Sequence, residues 1–212
     1  MNDMRTDIFD RVRPILQHYD VRGFVVPANT GYSARAAHAA FGAGYQYIVV
    51  GNPVESATKD YVYNSGMTDE VQKELSGLGM DIVLHEHSCF AQKNPSPAFW
   101  RHNKAFQDSF VQATKDKGVE SVEIKGATLA SILDNAFAQL CDQGFKTAVE
   151  MALLAGSCPR ADLARYYVSF AFPSRWGDIR DVAIVSRIGT PETFFTRRLD
   201  LQAVILSNEP RG

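Results

Sequence analysis

Up to His85 the chain switches repeatedly between the 3.6-residue period of an amphipathic helix and the unbroken apolar runs of a buried strand, and this alternation restricts the fold most. Residues 7–19 put Ile8, Val12, Ile15 and Leu16 on one helical stripe, and VRGFVVP then reads as a buried strand ending at Pro27. SARAAHAAFG is an Ala-rich helix that Gly42 and Gly44 bring to a stop, and YQYIVVG at 45–51 is a second strand of β-branched and aromatic residues. In TDEVQKELSGLG, Thr68 is suited to cap a helix whose first turn carries Asp69 and Glu70, and MDIVLH supplies a third strand. An α-β-α-β-α-β order demands parallel strands joined by helical crossovers. It predicts an α/β fold: a doubly wound three-layer α/β/α sandwich with a mainly parallel sheet.

The middle of the chain is less regular. From 86 to 126 it turns polar and aromatic, with Pro95, Pro97 and Trp100, and reads as a divergent excursion carrying one helix around 97–116. Helical patterns return in ATLASILDNAFAQLC and, after Gly144, in FKTAVEMALLAGSC, which ends near Gly156. LARYYVSFAF, DVAIVSR and LQAVILS then read as strands, so a single domain over 1–212 is expected. Lysine disappears after Lys146 while eight arginines follow, and arginine suits fixed pairing with carboxylate or phosphate.

Charge narrows the function classes. Lys plus Arg number 22 against 24 Asp plus Glu, a net charge of −2, so no basic excess exists to neutralise a nucleic-acid backbone. Gly, Pro or charge breaks every apolar stretch well short of the roughly 20 residues of a membrane span, and MNDMRTDIFDRVRP lacks the apolar core of a signal peptide. A cytoplasmic protein with neither nucleic acid nor membrane as partner is expected. Cys89, Cys141 and Cys158 are odd in number and without a CxxC spacing, which suits reduced thiols.

The sharpest local signal is the run from Val25 to Ala34, a buried strand passing through a small, hydroxyl-rich turn into a helix. Such a turn gathers backbone N–H groups and the positive end of a helix dipole at one point, the physical basis of a phosphate site. Asn29, Thr30, Gly31, Tyr32 and Ser33 are therefore the candidate phosphate and ligand residues, with Thr30 and Ser33 adding hydroxyls. The alternative is that Gly31 only makes the turn and Ser33 only caps the helix. Neither GxxxxGK[ST] nor GxGxxG occurs, so the usual nucleotide fingerprints are absent.

The run ANTGYSA resembles the Thr-x-Ser-Gly-x-Ser-Ala loop of the C-terminal domain of pyruvate kinase. The whole chain resembles the small stand-alone proteins of the pyruvate kinase C-terminal-like, alpha/beta domain family, largely of unassigned function. The strand-loop-helix at 23–41, the strand IVVGN, LSGLGMDIVLHEH, QGFKTAVEMALLAGSC, RWGDIRDVAIVSR and the ending EPRG follow the family's order, whereas 90–126 match poorly. The resemblance implies a phosphate held by the loop from Ala28 to Ser33. It also implies a second loop, Ser174, Arg175, Trp176, Gly177 and Asp178, that closes over the ligand. Lys146 and Glu150, an i,i+4 pair on a helix, match the family's Lys-x-x-x-Glu segment and join the pocket candidates. Two departures stand out. Ala28, Asn29 and Tyr32 replace basic or hydroxyl residues, which argues against a sugar bisphosphate, and the catalytic barrel is missing, so no pyruvate kinase activity is implied.

His85, His87 and Cys89 fall on one face of an extended backbone at the end of the third strand, two imidazoles and a thiol suited in type to Zn²⁺. A fourth ligand cannot be named, and no metal is expected. His85, His87 and Cys89 remain the catalytic candidates, as pocket acid, base or nucleophile on the ligand-binding edge of the sheet. Tyr166, Tyr167, Phe170 and Phe172 alternate as core or subunit-interface residues do. Three readings follow. The first is a module binding a phosphorylated small molecule or a mononucleotide, flavin mononucleotide (FMN) among them. The others are a small-molecule enzyme using the same pocket and a homo-oligomeric assembly subunit whose pocket is vestigial.

Overall fold

A computed structural model describes residues 6–54, 66–85, 141, 143–172, 180–190 and 199–207. Four helices and six strands occur among them, in the order α1 (Thr6–Leu16), β1 (Val21–Pro27), α2 (Tyr32–Phe41), β2 (Gln46–Gly51), α3 (Asp69–Gly77), β3 (Asp81–Leu84), α4 (Gln143–Ala155), β4 (Tyr166–Ala171), β5 (Val182–Arg187) and β6 (Ala203–Leu206). The excursion at 86–126 lies outside the described residues.

The strands form one mixed sheet of order β3-β2-β1-β4-β5-β6. β3, β2, β1 and β4 run parallel, as the alternating pattern demands, and β5 and β6 then turn back antiparallel. With β5 antiparallel to both of its neighbours, the C-terminal run of strands departs from uniform double winding. Strands buried on both faces read as near-continuous apolar runs, and FVV in β1, IVV in β2 and VAIV in β5 do so.

Strand alternation divides the core into two. On one face Phe24, Val26, Tyr47, Val49, Val168 and Phe170 meet Ile8, Phe9 and Val12 of α1, Ala34 and Ala37 of α2 and Leu75 of α3. Phe24 anchors it, stacked on Phe41 with centroids 4.4 Å apart and within 6.0 Å of Phe170. On the other face Val25, Ile48, Val50, Tyr167, Val182 and Ile184 pack against α4. Helices therefore cover both faces of the sheet, and no described helix is long and apolar enough to cross a membrane. Tyr167 and Phe170 are fully buried, in keeping with the core reading of that aromatic set.

The parallel half places the carboxyl ends of β1, β2 and β3 side by side, and the loops leaving them define the candidate site.

Candidate functional site

The loop that leaves β1 is tied to β2 before α2 begins. Ala28 N donates to Val50 O at 3.0 Å, extending the β1–β2 ladder by one residue. Asn52 N then donates to Asn29 Oδ1 at 2.9 Å and Asn29 Nδ2 to Asn52 Oδ1 at 3.3 Å. A third strand joins through Asn52 Nδ2, which donates to His85 O at 3.0 Å, and His85 N donates to Gly51 O at 2.9 Å. Asparagine suits this task because its amide both donates and accepts, so one side chain can satisfy two strand ends. Gly51 permits the close approach: a Cβ there would lie 3.2 Å from Asn29 Oδ1 and 2.7 Å from Met67 Cε.

Gly31 is the N-cap of α2 and adopts φ 74, ψ −11, a left-handed conformation natural to glycine. No side chain caps α2, so Ser33, buried at 7% exposure, does not serve as the cap. The first turn of α2 also carries no acidic residue. Beside it lies a cation missed in the sequence reading. Arg35 Nη2 donates to Thr30 O at 3.1 Å, Nη1 pairs with Glu74 at 3.0 Å, and a Cβ on Gly31 would come within 2.7 Å of Nη1. The pair is half-exposed, so its worth to stability is small, yet it fixes a guanidinium next to the positive end of α2. Tyr32 is exposed at the mouth of the loop.

His85 engages the opposite face of the sheet. Its Nε2 lies 3.1 Å from Ser157 Oγ, and that hydroxyl donates to Leu154 O at 2.7 Å. With the hydroxyl proton committed to a carbonyl at the end of α4, Ser157 accepts from an Nε2–H tautomer of His85. The pairing braces β3 against the end of α4. Lys146 and Glu150, one turn apart, lie on the flank of α4 that Ser157 continues, by helical period. Lys146 Nζ and Glu150 Oε2 are 3.5 Å apart, with side chains 11% and 6% exposed, and Glu150 Oε1 has no hydrogen-bond partner among the described residues. A buried carboxylate with one orphaned oxygen is expensive, so the ion pair is strongly required there. His87, Cys89 and the segment Ser174, Arg175, Trp176, Gly177 and Asp178 lie outside the described residues.

Neither a family model nor a curated protein matches this chain. The site therefore stands on its own geometry: a β1–α2 turn with an uncapped helix start, an arginine beside it, and an Asn29–Asn52–His85 bracket that locks three strand ends together. Asn52 and Arg35 were missed because Asn52 reads as an ordinary turn residue and Arg35 as a solvated helix position. Only the tertiary pairing with Asn29 and with Glu74 distinguishes them.

Proposed function

We propose that the chain binds a phosphate-bearing small molecule, such as a mononucleotide, at the carboxyl edge of β1, as a ligand-binding or regulatory protein without pyruvate kinase activity. The observation that carries this reading is the uncapped start of α2 at Gly31, with the Arg35 guanidinium beside it. A helix start with no side-chain acceptor and an adjacent cation favours an anion, and open α/β sheets take ligands outside the carboxyl ends of their strands. The likeness of ANTGYSA to the pyruvate kinase C-terminal loop supports the same assignment. By that likeness alone, Ser174–Asp178 would close over the ligand and Lys146 and Glu150 would border it.

Native mass spectrometry of the protein as purified tests the reading directly, followed by calorimetric titration with FMN and with inorganic phosphate. A retained phosphate ester, or binding lost in Thr30→Ala and Gly31→Val but kept in His85→Ala, supports it. Binding indifferent to both loop substitutions rejects it, and a turnover that disappears with His85→Ala would favour the enzyme reading.

A further inference from the structure

Three strands away from that loop, an apolar groove of about 500 Å³ runs along β6, lined by Cys141, Phe145, Arg180, Leu201, Val204 and Leu206. Its volume lies within the range of about 300–1,000 Å³ that small-molecule sites occupy. Strand alternation explains its floor: Ile205 is buried against the α1 side, which turns Val204 and Leu206 to the α4 side, where they are 46% and 36% exposed. From Leu201 to Leu206 an extended backbone covers about 16 Å, the length of a dodecanoyl chain.

One end of this groove is positive. Leu206 is in register with Val182, so Arg180, two residues earlier, sits at the Leu206 end. Arg180 is exposed and makes no ion pair with any described residue. Phe145, in the first turn of α4, lines the same groove. The walls are largely apolar and Arg180 stands at one end.

We propose that this groove binds a free medium-chain carboxylate, its aliphatic body lying along Leu201, Val204 and Leu206 and its carboxylate paired with Arg180 at the start of α4. An arginine holds a carboxylate through two parallel N–H donors, and the apolar stem covers side chains otherwise left in water. This site is separate from the phosphate loop.

The test is calorimetric titration of the full chain with sodium dodecanoate below its micellar concentration, with alkylation of Cys141 by N-ethylmaleimide followed by peptide mass spectrometry. Saturable binding is expected, with Cys141 shielded on occupancy. Arg180→Glu should weaken the affinity at least about tenfold, the loss of one charge-assisted pair, and Val204→Glu, at an exposed position, should abolish it. Absence of saturable binding or of shielding overturns the proposal, as does equal affinity in Arg180→Glu. Shielding that appears only with anionic phospholipid vesicles, or only as protein concentration rises, also overturns it, in favour of a membrane surface or a second copy of the chain.

Discussion

Asn29 and Asn52 hold each other reciprocally across the ends of β1 and β2, the backbone N–H of Asn52 donating to Asn29 Oδ1 at 2.9 Å while Asn29 Nδ2 returns a bond to Asn52 Oδ1. The pair sets where the loop leaves the sheet and hence where α2 begins. Asn29→Ala leaves a partly buried N–H without its acceptor, which costs about 1–2 kcal/mol. Urea unfolding should show that loss, and phosphate affinity should fall with it because the loop is no longer anchored.

Gly31→Ala tests the turn itself. A side chain at φ 74 costs about 1–2 kcal/mol, and its Cβ would press on Arg35 Nη1 at 2.7 Å. Thermal unfolding should register the strain, and titration with FMN or inorganic phosphate should show weakened binding. Full affinity in this variant would place the ligand elsewhere.

Phe24 is fully buried among Phe41, Tyr45, Tyr47 and Phe170. Phe24→Ala removes the ring around which the α1–α3 face is packed, for a loss of about 3–5 kcal/mol. A drop of only a few tenths in chemical denaturation would show that this face contributes little.

Two buried phenols make the fold sensitive to alkali. Tyr47 donates to Gly42 O at 2.7 Å and Tyr167 to Gln46 Oε1 at 2.9 Å, and burial pushes both above the ordinary tyrosine value. The fold binds these protons more tightly than the unfolded chain does. Their contribution is therefore complete below about pH 10 and is lost as the pH climbs toward the raised values. Phenolate absorbance during a pH titration should show delayed ionisation followed by cooperative unfolding. Tyr47→Phe should carry the unfolding to higher pH.

The two described cysteines should differ in reactivity at neutral pH. Cys158 is buried, and burial raises its thiol above the usual value, whereas Cys141 is exposed. N-ethylmaleimide should label Cys141 rapidly in the native protein and Cys158 only on unfolding. Equal rates would mean that the end of α4 opens readily.

Much of the architecture follows from the sequence alone because it depends on local periodicity. The stripe Ile8, Val12, Ile15 and Leu16, the apolar runs of β1 and β2, and the Thr68 cap, which accepts from Val71 N at 3.5 Å, are all properties of residues near one another in the chain. The same is true of the turn after Pro27, where glycine in a strand-to-helix connection announces the left-handed step found at Gly31. What periodicity cannot carry is the direction of a strand: β5 has the same apolar character as β2, and only the pairing of β5 with β4 on one side and β6 on the other shows that it runs antiparallel to both. Nor can it carry partners distant in sequence. That Asn29 meets Asn52, that His85 reaches Ser157, and that Arg180 stands at the end of a groove floored by Val204 and Leu206 was decided by tertiary structure, because each juxtaposition depends on which strand lies beside which.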